Sequence, residues 1–187
     1  NARGIAIANG PTPENFESMA EATVLLILAQ LYDLHHTERV LRECLPRPKT
    51  QRARMLRGKT VGLIGLGRIA RGVVQRLAGW HVNLFACDPY VAPGAAPAGV
   101  RMVALDEVRV HTPLTSQTRH MIGARELALM RPTAFFINTA RGGMVDEQAL
   151  YAALAGGKLA GAALDAFELE PLPLESPLRT LPNVILT

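Results

Sequence analysis

Cysteine, aromatic residues and long apolar runs are all scarce in this chain. Its only two cysteines, Cys44 and Cys87, are too few for a disulfide framework and fit a reducing compartment. Aromatic residues make up 5% of the sequence. None lies between Arg47 and Lys59, where Arg47, Lys49, Arg52, Arg54, Arg57 and Lys59 occur without one acid. With Pro46 and Pro48 beside it and nothing to stack on a base, that stretch reads as a solvated linker and not as a nucleic-acid surface, although the net charge is +4. The longest apolar run, 22–29, falls far short of the roughly 20 residues a membrane span needs. The start, Asn1-Ala2-Arg3-Gly4 followed by a short apolar stretch and then Pro11 and Pro13, is not the pattern of a secretory signal. His35, His36, His81, His111 and His120 have no Cys/His spacing of a metal site. A soluble, cytoplasmic protein with no metal, nucleic-acid or membrane partner is therefore expected.

What is present is a core-forming composition, 49% hydrophobic and 19% charged, suited to one globular domain. Its most informative stretch is Thr60-Val61-Gly62-Leu63-Ile64-Gly65-Leu66-Gly67-Arg68-Ile69-Ala70, an apolar run breaking into G-x-G-x-x-A, with Asp88 18 residues further on. Gly65 permits a tight turn, Gly67 removes a Cβ that would block a pyrophosphate, and Ala70 lets helix and strand pack closely. The helix after the turn directs free N–H groups at the phosphates. Its place in the turn points Arg68 the same way. Ile69, Val73 and Leu77 recur at i, i+4 and i+8, Gly79 suits the helix end, and 82–88 is a second strand closing on Asp88, the acid expected on an adenosine ribose. An acid there favours NAD over NADP, whose 2′-phosphate it would repel.

Around this unit the pattern predicts a strand at 4–8, a turn at Asn9-Gly10-Pro11, and a long helix capped by Thr12 or Asn15 and running to about residue 31. That helix is apolar on more than one face from Thr23 to Leu31, so it must be covered twice, within the domain or by a second copy. Strands are expected at 60–65, 82–88, 101–104, 108–112, 134–139, 161–165 and 183–187. Helices are expected at 68–78, near 123–131 before Pro132, and after Asp146 up to Gly156. Alternation of apolar strands with helices means a parallel sheet covered on both faces, a doubly wound α/β domain.

Ligands in such folds bind outside the carboxyl ends of the strands, where Gly65 to Gly67, Asp88, Arg141 and Asp165 all fall. Gly142-Gly143 would let the Arg141 backbone approach a ligand while its guanidinium offers a planar fork to a carboxylate. Asp165, after Ala162-Ala163-Leu164, needs a polar partner: a nicotinamide carboxamide or a protein group.

These segments, with His111-Thr112-Pro113-Leu114-Thr115, Ile137-Asn138-Thr139-Ala140-Arg141-Gly142-Gly143-Met144-Val145-Asp146 and Ala163-Leu164-Asp165-Ala166-Phe167-Glu168-Leu169-Glu170-Pro171, resemble the D-isomer-specific 2-hydroxyacid dehydrogenases along essentially the whole chain. The resemblance implies their NAD-binding Rossmann domain over 1–187, with an N-terminal hinge strand and long helix and no substrate domain. It implies hydride transfer between NAD and C2 of a D-2-hydroxy or 2-oxo acid, phosphoglycerate- or hydroxypyruvate-like substrates among them, by a homodimer. By the same resemblance Arg141 binds the substrate carboxylate and carbonyl, and Glu170 pairs with a catalytic histidine. That histidine belongs to a Pro-His pair expected directly after Thr187. Gly65, Gly67, Arg68, Ile69, Asp88, His111, Thr112, Pro113, Thr139, Ala140, Arg141 and Asp165 would line the cofactor cleft, and Glu168 would be a bystander. An NAD(H)-responsive corepressor-like protein of the same fold, and a formate or phosphite dehydrogenase, are the alternatives. Finally, no crossover helix separates the strands expected at 101–104 and 108–112. Residues are therefore expected to be missing near Glu107, seen as one long Cα separation between Asp106 and Arg109.

Overall fold

The computed structural model describes residues 12–46, 53–92, 94–103 and 119–187. The strands expected at 4–8 and 108–112, His111, Thr112, Pro113 and the Asp106–Arg109 junction lie outside the described residues.

Thr12 caps the first helix, α1 (Pro13–Leu31), accepting from the Asn15 N–H at 3.4 Å, with Pro13 in the first turn. A helix that sequence patterning did not anticipate, α2 (Leu34–Arg42), follows. There come in turn β1 (Thr60–Ile64), α3 (Arg68–Arg76), β2 (Asn83–Cys87), β3 (Val100–Met102), α4 (Ala124–Ala128), β4 (Phe135–Asn138), α5 (Glu147–Ala155), β5 (Gly161–Leu164) and β6 (Val184–Leu186). Gly156 caps α5 as its spacing foretold, whereas α3 stops at Arg76 with Leu77 as its cap, short of the 68–78 expected, so Gly79, at φ +80, lies in the turn beyond it. α4 is shorter than the 123–131 helix expected, because the Glu126 carboxylate turns back to accept from the Gly123 N–H and Leu129 already caps the other end.

Among the described residues all strand pairs are parallel, forming two three-stranded sheets in the orders β1-β2-β3 and β4-β5-β6. Side chains alternate between the faces as the strand period requires. Leu63, Leu84 and Ala86 enter one core with Ala20, Ala70, Val73 and Leu77 of α1 and α3, while Ile64, Phe136, Ala162 and Leu164 enter the other with Leu127, Leu150 and Leu154 of α4 and α5. This two-faced burial is the doubly wound arrangement. A cavity of about 690 Å³ is bordered by residues 60–63 of β1 and 135–137 of β4. α1 spans both halves: Gly72 of α3 approaches so closely that an added Cβ would lie 2.9 Å from the Ala20 Cβ, and Gln30 donates to the Ala162 carbonyl. Among the described residues no helix is long and apolar enough to cross a membrane.

Candidate active site

β1 ends in a turn held from both sides. Gly65 takes φ +81, a left-handed conformation that favours glycine, and its N–H donates to the Cys87 carbonyl at 2.8 Å. The Leu66 N–H donates to Asp88 Oδ2 at 2.8 Å while Arg71 Nε donates to the Leu66 carbonyl at 3.0 Å, so the peptides on both sides of Leu66 are held. Asp88 Oδ1 accepts from the Tyr90 N–H at 2.9 Å. Two of the roughly four lone-pair directions of that carboxylate are thus used by backbone N–H groups. Gly67 caps α3 with extended backbone and no side-chain bond. A Cβ placed there would meet no atom within 4 Å, so the space above the first α3 turn is open. That open cradle and the uncapped helix N-terminus fit a pyrophosphate. Ile69 is half-buried against the core, and the Arg68 guanidinium sits 4.9 Å over the Phe16 ring instead of lying over the turn.

At the end of β4 the chain is braced from within. Asn138, 1% exposed, accepts from the Ala140 N–H at 3.1 Å and donates to the Arg141 carbonyl at 3.2 Å. Thr139 engages its hydroxyl with that of Thr23 of α1, 2.9 Å away. Arg141 is exposed, with Nη1 donating to the Ala140 carbonyl at 2.7 Å. Gly142 explains the next step: a Cβ there would fall 1.8 Å from the Phe167 carbonyl carbon and 2.4 Å from the Glu168 nitrogen. The glycine after Arg141 is thus needed for another backbone to pass, a role that sequence alone assigned to ligand approach. The contact lays the Arg141 loop against the loop leaving β5.

That second loop carries the remaining acids. Asp165 is exposed, tied to β4 by its N–H donating to the Asn138 carbonyl at 2.9 Å, and its polar partner is the Thr187 hydroxyl at 3.2 Å. Glu170 is exposed and accepts from the Phe167 N–H at 3.2 Å. Among the described residues no hydrogen bond or ion pair joins Arg141 to Asp165 or Glu170. Glu168 is spent on structure, since its Oε1 accepts from the Glu147 N–H at the start of α5 at 3.0 Å and its Oε2 lies 2.9 Å from His120 Nε2. In return Glu147 Oε1 accepts from the Glu168 N–H at 2.7 Å. Burial raises the Glu147 carboxyl above its ordinary value, the Glu168 N–H opposes this, and the Glu168 charge adds to it. Thr23, Arg71 and Asn138, which brace the site, were not singled out from the sequence. Only Asn138, a buried polar residue ending the apolar run 134–137, carried a local signal.

The family model described as "D-isomer specific 2-hydroxyacid dehydrogenase, NAD binding domain" matches residues 24–187. The D-3-phosphoglycerate dehydrogenase of Methanocaldococcus jannaschii is 41% identical over 98% of this chain and 36% of its own length. The glyoxylate reductase of Korarchaeum cryptofilum is 36% identical over 98% of this chain and 59% of its own. Among solved structures, the NAD-dependent formate dehydrogenase of Staphylococcus aureus in complex with NAD superposes with a TM-score of 0.87 at 32% identity, over 94% of this chain and 56% of that one. The chain therefore spans between about a third and three-fifths of the length of these relatives. With a doubly wound fold, an open glycine turn and an exposed arginine braced at the end of β4, it belongs to the D-isomer specific 2-hydroxyacid dehydrogenase family and corresponds to that family's NAD-binding domain.

Proposed function

We propose that this chain is the cofactor half of a cytoplasmic, homodimeric dehydrogenase that interconverts a D-2-hydroxy acid and its 2-oxo acid, working with a substrate-binding domain elsewhere in the full protein. The observation that carries the proposal is the contact at Gly142, which sets the exposed Arg141 beside the loop of Asp165 and Glu170 at the ends of β4 and β5. The greater length of the relatives supports the second domain. A sequence with only two cysteines supports a reducing compartment.

NAD would supply the hydride acceptor or donor at C2. The Gly65–Gly67 turn and the first turn of α3 would hold its pyrophosphate, and Asp88 its ribose hydroxyls while repelling the 2′-phosphate of NADP. Asp165 would hold the carboxamide. Arg141 offers two parallel N–H donors to the substrate carboxylate, fixing C2 and polarising its oxygen. As the hydroxyl oxygen becomes a carbonyl its proton must go to a base. By family resemblance that base is a histidine following Thr187, and Glu170, paired with it, would favour the imidazolium and orient the ring. On the outer side of α1, Leu25 is 61% exposed while its neighbour Leu26 is buried. A two-fold partner would cover that face.

Steady-state kinetics of the full-length protein on 2-oxo acids, with NADH and NADPH in turn, test this. NADH is expected to be preferred. Arg141→Lys, which keeps the charge and loses the fork, should lower kcat/KM at least about 100-fold, or roughly 2.7 kcal/mol, with NADH affinity nearly unchanged. Full activity in that variant would overturn the role of Arg141, and NADH binding without turnover of any 2-oxo acid would overturn the enzyme.

A further inference from the structure

Thr23 stands in the middle of an otherwise apolar part of α1, 1% exposed. A hydroxyl buried that deeply is costly unless both its donor and its acceptor are used, and an apolar residue would fill the place more cheaply. Both are used. Its Oγ1 donates to the Met19 carbonyl at 2.7 Å, one turn back in the helix. Its single hydrogen is then committed, so in the 2.9 Å contact with Thr139 Oγ1 the hydrogen comes from Thr139. The order Thr139 to Thr23 to Met19 is fixed by donor count alone.

Thr139, 5% exposed, sits between Asn138 and the Ala140-Arg141 peptide that Asn138 braces. Asn138 acts within its own turn: it sets the shape of 138–141 and cannot set where that turn stands against the rest of the molecule. Thr23, 116 positions away, is on a helix that also packs on α3 of the glycine-turn half. The hydroxyl pair therefore ties the arginine loop to the helix that spans both halves.

We propose that Thr23 is a positioning residue for Arg141, acting through Thr139 by a hydroxyl pair of fixed donor direction. This rests on Arg141 holding the substrate carboxylate, as proposed above. Thr23→Val keeps the shape and removes both bonds, while Thr23→Ser keeps the bonds and removes only a methyl group. In the full-length protein Thr23→Val is expected to raise KM for the 2-oxo acid and lower kcat/KM 10- to 100-fold, with the NADH dissociation constant within twofold and the solution mass unchanged. Thr23→Ser should return kcat/KM to within about threefold of the parent. The double variant Thr23→Val/Thr139→Val should be no worse than the poorer single one, since both remove one contact. Should the Val variant fail to accumulate, Thr139→Ala reads the same contact from its other end, with the same expected split between KM and NADH binding. The proposal is overturned if Thr23→Val has parental kcat/KM, if Thr23→Ser is as impaired as Thr23→Val, or if NADH affinity falls in step with kcat/KM. An active Arg141→Lys enzyme sinks the role of Arg141 on which this step rests, whereas a crippled Arg141→Lys enzyme with an intact Thr23→Val sinks only this step.

Discussion

A Cβ added to Gly67 would meet nothing within 4 Å, whereas one added to Gly142 would lie 1.8 Å from the carbonyl carbon of Phe167. At the ends of β1 and β2 the missing side chain leaves room above a turn whose peptides on both sides of Leu66 are already held by Asp88 and Arg71. At the ends of β4 and β5 it lets two loops touch, and the room is filled by protein. The first region is therefore left open above the turn. The second is completed by its own backbone and exposes chosen side chains, Arg141, Asp165 and Glu170, on a rigid support. One residue type serves opposite physical ends.

The largest expected effect breaks the second region. Gly142→Ala puts a methyl group into the Phe167–Glu168 backbone, which cannot rotate aside as a side chain would. The Arg141 and Glu170 loops must part, at a cost on the order of 3 kcal/mol or more. Denaturant unfolding of the full-length protein should show a large drop in midpoint, and NADH-dependent turnover should vanish. A midpoint close to the parental one would mean that the loops do not touch as described.

Gly67→Ala separates the two regions more finely. The Gly67 backbone is extended, which alanine adopts freely, so the unfolding midpoint should move by less than about 1 kcal/mol, the loss expected for alanine at a helix cap. Yet the methyl group enters the space read as the pyrophosphate cradle. NADH affinity should fall at least tenfold, about 1.4 kcal/mol, by fluorescence titration. Unaltered NADH binding would place the cofactor elsewhere, and a loss of stability matching that of Gly142→Ala would erase the distinction between the two glycines.

The same distinction decides how much the sequence could show. The glycine turn is local: strand, Gly65, Gly67, helix and Asp88 lie within 29 residues, and their spacing alone carries the geometry. Strand alternation likewise placed every described strand to within a residue or two, since burial on both faces leaves a continuous apolar run. α2 escaped because it buries only Val40 and follows a residue in left-handed conformation, Asp33 at φ +51. Its support comes from the exposed pairs Arg42–Glu38 at 2.7 Å and Arg39–Glu43 at 3.3 Å, a spacing readable only once a helix is assumed. In the arginine region the residue types were legible through family resemblance, while their neighbours were not. Nothing near Gly142 in the chain announces Phe167, nothing near Thr139 announces Thr23, and pairwise contacts across such separations leave no periodic trace.

The smallest expected effect probes the electrostatics of the packed region. Glu147 is held at the start of α5 beside Glu168, with His120 and Arg119 facing Glu168 from the preceding loop. Burial and the Glu168 charge raise the Glu147 carboxyl. For an acid whose folded value lies above its unfolded one, ionisation disfavours the folded state, and the penalty is present above the folded value and fades as pH falls through it. Glu147→Gln retains a carbonyl oxygen to accept from the Glu168 N–H, so it removes the penalty without removing the bond. It also gives up a favourable charge at a helix N-terminus. Discounted for solvent screening at a partly exposed site, the net gain at neutral pH should stay below about 0.5 kcal/mol. The sign of its pH dependence is the sharper readout. The difference in unfolding free energy between variant and parent should shift in favour of the parent as pH is lowered from neutrality through the range just above the ordinary glutamate value. A difference that moved toward the variant instead would mean that Glu147 is stabilised as a carboxylate in the fold, and that the backbone bond from Glu168 outweighs burial.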